Sequence, residues 1–127
     1  MNICLLDTNI FLYYLEDQKE IVSFFSDQKK NQDIISYSFI TKIELLEVPG
    51  LIAEETILIE NMLSEFYRID YCQEIEDILI IIRKHKKIKI PDAIIAASAI
   101  FNDSILVTRN TQDFINIPNL KVLNPFA

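Results

Sequence analysis

The stretch Ile3-Cys4-Leu5-Leu6-Asp7-Thr8-Asn9-Ile10-Phe11 changes its hydrophobic period at one acidic residue. Four consecutive apolar positions, Ile3 to Leu6, are the mark of a strand covered on both faces. After Asp7-Thr8-Asn9 the apolar residues Ile10, Phe11, Tyr14 and Leu15 fall on one side of a helix. A buried strand that runs through a short polar turn into a helix is half of a parallel α/β unit.

The rest of the chain repeats this alternation. A second helix is expected from about Asp17, apolar at Ile21, Val22, Phe24 and Phe25, fading into Asp27 to Asn31. Ile34-Ile35 reads as the next short strand. Ser38 is placed to cap a helix that runs to Val48 and stops at Pro49-Gly50. Two longer helices, about Ala53 to Tyr67 and Gln73 to Lys87, flank a short strand near Ile69. Pro91 suits the first turn of a further helix, Asp92 to Phe101, whose Ala93, Ala96, Ala97 and Ala99 permit close packing. Ile105 to Thr108 is a third clear strand, and Leu120 to Leu123 the last. The expected fold is α/β: a three-layer α/β/α sandwich around a short parallel sheet.

Composition agrees with this reading. The 127 residues are half apolar, with 24 isoleucines, which is ample for a core and excludes intrinsic disorder. The length suits one domain over residues 1–127, and no repeat or linker divides it. One Gly and four Pro are too few for a many-stranded barrel or sandwich. Cys4 and Cys72 lie far apart, and His85 is the single histidine, so neither a disulfide framework nor a zinc signature is present. The first seven residues are too soon interrupted by charge for a signal peptide, and the apolar run Ile78 to Ile82 is far short of a bilayer span. A cytoplasmic chain with no membrane partner is expected. The net charge of −7 argues against a broad nucleic-acid-binding surface.

In a parallel sheet, ligands bind outside the carboxyl ends of the strands. Asp7 ends the first strand, Asp113 follows the third clear strand, and Asp92 opens a helix whose amino end can face the same rim. A helical wheel puts Glu44 between Ile40 and Val48, beside the apolar stripe, with Glu47 a rival between Ile40 and Ile43. Each acid also has a structural use. Asp7 can cap its helix, Asp92 suits a helix dipole, and Asn110-Thr111-Gln112-Asp113 reads as a capping box. Together, however, clustered carboxylates repel and are costly to bury unless a cation neutralises them. Mg²⁺ or Mn²⁺ fits oxygen ligands and needs only two or three of them. Such a site activates water and stabilises charge on a phosphate.

Four segments carry a family resemblance. They are Leu5-Leu6-Asp7-Thr8-Asn9-Ile10, Ser38 with Thr41 and Glu44-Leu45, Pro91-Asp92-Ala93-Ile94-Ile95-Ala96-Ala97-Ser98-Ala99, and Leu106-Val107-Thr108-Arg109-Asn110 with Asp113-Phe114. In content, order and approximate spacing the chain resembles a PIN domain, most like the VapC-type ribonuclease toxins of toxin–antitoxin pairs. The resemblance implies that Asp7, Glu44, Asp92 and Asp113 form a pocket for one or two Mg²⁺ or Mn²⁺ ions. It prefers Glu44 to Glu47, because the family's glutamate is followed directly by leucine. Thr8, Asn9, Thr108 and Asn110 become the neighbouring polar groups, with Asn110 able to share or replace the role of Asp113. The resemblance further implies RNA as substrate, a cognate antitoxin as partner, and a homodimer.

Two other regions bear on function. Arg83, Lys84, Lys86, Lys87 and Lys89 supply five of the twelve bases within seven residues, just before Pro91-Asp92. They read both as a helix end favoured by the dipole and as a strip that contacts RNA phosphates, with His85 a solvated member. The isoleucine-rich helices between Ala53 and Ile82 are apolar nearly all round, as in a buried helix pair or a dimer face. The leading function is a metal-dependent endoribonuclease, the toxin of a pair, against an inactive PIN-like scaffold or RNA-binding module. An aspartyl phosphatase with Asp7 as nucleophile usually wants Asp where Asn9 stands, and the paired acids of a phosphate receiver domain are not evident. Setting the four site acids aside leaves −3, so much of the acidity belongs to the pocket itself.

Overall fold

The sheet grows outward in both directions from its first strand. The computed structural model describes residues 2–127. Its first half comprises β1 (Ile3–Leu6), α1 (Thr8–Leu15), α2 (Lys19–Lys30), β2 (Ile34–Ser38), α3 (Phe39–Leu46) and α4 (Ala53–Leu63). The second half comprises β3 (Tyr67–Ile69), α5 (Gln73–His85), α6 (Ile90–Phe101), β4 (Ile105–Val107), a 3-10 turn (Thr111–Phe114) and β5 (Lys121–Leu123). Strand order is β3-β2-β1-β4-β5, with every neighbouring pair parallel. In register, Leu5 pairs with Ser36 on one side and Leu106 on the other.

Because side chains alternate along a strand, β1 sorts its residues between two cores. Cys4 and Leu6 pack with Ile10, Phe11, Ile21, Phe25, Ile59 and Leu63, so α1, α2 and α4 cover one face. Leu5 packs with Ile75, Ile82, Ile95, Ala96 and Ala99, so α5 and α6 cover the other. This is the expected three-layer sandwich. Each fully buried Leu or Ile contributes roughly 1.5–3 kcal/mol, which makes the double coverage of β1 the main anchor of the fold. The alanines of α6 are buried almost completely, and their small size lets the helix lie close against the sheet.

Several boundaries differ from the sequence reading, each for a local reason. The helix expected from Asp17 begins at Lys19, because Asp17 takes a left-handed φ of 56° at the turn. Helix α3 ends at Leu46 rather than Val48, since Pro49 disfavours helical geometry in the residue before it. Helix α4 stops at Leu63 instead of Tyr67, because Tyr67 to Ile69 pair with Ser36 to Ser38. Helix α5 ends at His85, with Lys86 already extended, so that Ile88 can turn into the core. Asn110 makes no side-chain cap to the 3-10 turn, which corrects the capping-box reading of Asn110 to Asp113. The two isoleucine-rich helices are not a pair: α4 packs on α3, and α5 packs on α6 in the opposite layer.

The chain moves from β1 to β2 and β3 on one side, then crosses to β4 and β5 on the other. The carboxyl ends of β1 and β4 therefore flank the reversal point where such sheets place their ligands. Among the described residues no helix is long and apolar enough to cross a membrane.

Candidate acidic active site

Asp7 lies at that reversal point, only 7% exposed. It caps α1, its Oδ1 accepting the Thr8 backbone N–H at 2.8 Å. Its Oδ2 accepts the Thr108 hydroxyl at 2.8 Å, from the residue that follows β4. The Thr108 oxygen in turn accepts the Asn110 backbone N–H at 3.0 Å. Capping of α1 thus engages one oxygen of Asp7, and the Thr108 hydroxyl engages the other.

Thr8 carries the link to α3. Its hydroxyl donates to Glu44 Oε1 at 2.7 Å and lies 3.0 Å from the hydroxyl of Thr41. With Thr8 donating to a carboxylate, the buried Thr41 hydroxyl is left to donate to Thr8. Ser38 caps α3 through the Ile40 N–H at 3.3 Å, as the sequence suggested, and so sets the turn on which Thr41 and Glu44 sit. Glu47 is exposed at the carboxyl end of α3 and takes no part.

Electrostatics tie the acids together. Burial pushes the Asp7 carboxyl above its ordinary range. The Thr108 hydroxyl and Thr8 amide pull it partly back, and the charges of Glu44 and Asp113 push it up again. Asp92, in the first turn of α6, is also raised, first by burial and then by Asp7 and Asp113, while Lys89 opposes the shift. None of the four acids takes part in an ion pair among the described residues. Nor do any three His, Cys, Asp or Glu side chains converge into a ready metal cage. Repulsion thus links Asp7 with Glu44, Asp92 and Asp113, while only Asp92 and Asp113 of the four share the lining of one cavity.

The donor set is oxygen throughout, which suits Mg²⁺ or Mn²⁺ and not a softer metal. An ion held by one or two of these carboxylates would keep water in its remaining positions, the usual habit of Mg²⁺. Asp113 and Asn110 are both exposed, and Asn9 is exposed at the start of α1.

The basic segment divides. Arg83, Lys86, Lys87 and Lys89 line a cavity of about 550 Å³ together with Ile88, Gln112, Asp92 and Asp113. The Arg83 Nε donates to the Ile88 carbonyl at 3.1 Å, which folds the segment back on α5. Lys84 is not on this wall, and His85 instead borders an apolar recess beside Ile78 and Ile81. Two contributors escaped the sequence reading of roles. Thr41 stands three residues before Glu44, a spacing that puts both on one helix face. The Arg109 guanidinium lies over the rings of Phe126 and of the distant Tyr13, contacts beyond the reach of any local pattern.

Comparison with known proteins agrees with the geometry. The PIN domain family matches residues 4–120. A toxin–antitoxin complex from Klebsiella pneumoniae contains a chain 31% identical, with a TM-score of 0.77, covering 96% of this chain and 97% of that one. VapBC2 from Rickettsia felis, bound to a promoter DNA fragment, is 25% identical with a TM-score of 0.82, covering 96% and 98%. VapBC-1 from nontypeable Haemophilus influenzae is 25% identical with a TM-score of 0.81, covering 98% and 99%. No curated protein matches the chain by sequence. A parallel sheet with an acidic reversal point, and a family match over nearly the full length, place this chain in the PIN domain family, among its VapC-like members.

Proposed function

We propose that this single domain is a Mg²⁺- or Mn²⁺-dependent endoribonuclease and the toxin of a toxin–antitoxin pair. The observation that carries the reading is Asp7, a carboxylate raised first by burial and then by the charges of Glu44 and Asp113, and paired with no cation among the described residues. A nuclease toxin is also what the relatives suggest, since they are solved as toxin–antitoxin assemblies. Asp7, Glu44, Asp92 and Asp113 are the residues assigned to hold the metal. A bound ion supplies an activated water at neutral pH and offsets charge developing on the phosphate.

The chain's own groups do the positioning. Thr8 and Thr108 fix both oxygens of Asp7, and Thr8 fixes Glu44, so the acceptors keep one orientation without induced movement. Asn9 and Asn110 are exposed donors at the rim, suited to orient substrate or water. The wall formed by Arg83, Lys86, Lys87 and Lys89 is assigned to RNA phosphates leading into the pocket, with Lys84 outside it. This local strip answers the net charge of −7, because phosphate contact is needed only beside the acids. Ile57 and Leu58 on α4, and Ile80 and Ile81 on α5, leave two exposed apolar faces on opposite layers. These faces suit a second copy of the chain and the antitoxin.

The test is cleavage of single-stranded RNA by the purified chain with Mg²⁺ or Mn²⁺, with and without EDTA, beside Asp92→Asn. Cleavage that requires the metal and is lost in the variant is expected. Metal-dependent cleavage that persists undiminished in Asp92→Asn would overturn the assignment, and failure of Mn²⁺ to bind the chain at all would favour an inactive scaffold.

A further inference from the structure

Arg109 is the only basic residue between Lys89 and Lys121. It stands directly between Thr108, which bonds Asp7, and Asn110. Its guanidinium carbon lies 4.1 Å from the ring centroid of Phe126 and 5.5 Å from that of Tyr13. The two rings meet edge to face, with centroids 5.3 Å apart. The support is itself held in place. The Phe126 N–H donates to Asn124 Oδ1 at 2.9 Å, and the Thr108 N–H donates to the Leu123 carbonyl at 3.0 Å.

Arg109 is nevertheless exposed and has no ion-pair partner among the described residues. That combination is unusual in a chain of net charge −7, where acidic partners are plentiful. A guanidinium held over an aromatic ring loses rotamer freedom in advance while its N–H groups stay available to a ligand. Those N–H groups match the paired oxygens of a phosphate. Position also matters. Tyr13 is six residues beyond Asp7, so the platform lies about 9 Å along the axis of α1 from the acid. It sits with the layer of α1 and Phe126, whereas the Arg83 to Lys89 wall belongs to the α5–α6 layer. A strand laid across the acids would meet a cation on either bank.

We propose that Arg109 is a phosphate-binding residue for the RNA strand, contacting a phosphate that flanks the bond to be cut, with Phe126 as its positioning residue. This inference rests on the nuclease reading above. Phosphate is favoured over an acidic protein segment because a phosphodiester must pass this rim to reach Asp7.

The experiment measures kcat and KM for a short unstructured RNA at several KCl concentrations, with the unmodified chain, Arg109→Gln and Phe126→Leu. Thermal midpoints are taken alongside. Arg109→Gln should raise KM by about tenfold or more, the range of one lost charge-assisted hydrogen bond, with kcat changed less than about threefold. The slope of log KM against log salt should flatten by about 0.7, the value for one phosphate contact on a single strand. Phe126→Leu retains the charge and should raise KM less, by about threefold, with the salt slope kept. Lowered thermal midpoints with KM and slope unchanged would make the cluster a tether for the chain end and overturn the proposal. A kcat collapse at unchanged KM would overturn it too. If the unmodified chain cleaves RNA and the variants equal it, only this inference falls. If the unmodified chain cleaves no RNA under any metal, the nuclease reading fails and takes the inference with it.

Discussion

Replacing Asp7 by asparagine should separate the cap that its carboxyl provides to α1 from the metal-holding role proposed for it. As the cap of α1 it accepts the Thr8 N–H at 2.8 Å, and asparagine caps a helix about as well as aspartate. Asp7→Ala removes that cap, at about 1 kcal/mol, and strands the buried Thr108 hydroxyl for about 1 kcal/mol more. For a chain of this size that places Asp7→Ala roughly 6 °C below Asp7→Asn in thermal midpoint. The charge itself acts in the other direction. The Asp7 carboxyl is raised in the folded state by burial and by Glu44 and Asp113, so the native protein holds its proton more tightly than the unfolded chain does. Such a group favours folding at low pH, and this contribution is lost as pH rises through the folded-state value. At pH 7.5 the ionised carboxylate is therefore a net cost, and Asp7→Asn should melt at or above the unmodified chain. As pH falls towards the ordinary aspartate range, the unmodified chain should gain on the variant. Metal reverses the order: Mn²⁺ at a hundred times its Kd stabilises by about 2.7 kcal/mol, and Asp7→Asn should lose most of that gain. Its RNA cleavage should fall by at least about 10²-fold, as when one preorganised electrostatic group is removed. Scanning calorimetry at two pH values, with and without Mn²⁺, and a gel-based cleavage assay read all of this. Full Mn²⁺ stabilisation of Asp7→Asn, or undiminished cleavage, would refute the reasoning.

Four other outcomes follow from the same geometry. Thr41→Val should lower kcat by about tenfold by releasing the Thr8 hydroxyl that holds Glu44, with Thr41→Ser restoring it in the same steady-state assay. Converting Lys86, Lys87 and Lys89 together to glutamine should flatten the salt dependence of RNA binding by about 2 in the log–log slope, measured by fluorescence anisotropy. Phe11→Ala, at a fully buried ring that meets Tyr37 and Phe66, should cost about 3–5 kcal/mol in urea unfolding. Ile81→Lys, on the outward face of α5, should change unfolding free energy by less than about 0.5 kcal/mol. If the α5 face is the one proposed for a second copy, its sedimentation coefficient should be that of a monomer where the unmodified chain sediments as a dimer, and equal values for the two would refute that assignment.

Much of the fold was legible because burial writes itself into short-range order. Four apolar residues before Asp7 meant a strand covered on both faces, and Cys4, Leu5 and Leu6 divide between two cores as that pattern requires. Helix ends were less legible. Lys87 is as helix-compatible as Lys84, yet the helix stops at His85 because Ile88 is drawn into the core from outside the local window. The isoleucine-rich segments told that α4 and α5 carry apolar surface, but not that it lies in opposite layers, because handedness of the crossover is invisible to periodicity.

For the site, the sequence by itself determined which residues are acids at strand and helix ends, and therefore which chemistry is open to the chain. Tertiary structure decided their company. The hydroxyl of Thr8 reaches Thr41 and Glu44 across more than thirty residues, Thr108 reaches Asp7 across 101, and Arg109 lies over the ring of Tyr13 from the other half of the chain. These contacts depend on strand order, which is settled by the sum of many weak burial terms spread over the chain. A helical wheel or a spacing rule samples only neighbours within a few turns. The candidate acids could thus be named from the sequence, while the hydroxyls that hold Asp7 and Glu44 emerged only when β1 lay beside β4 and α1 beside α3.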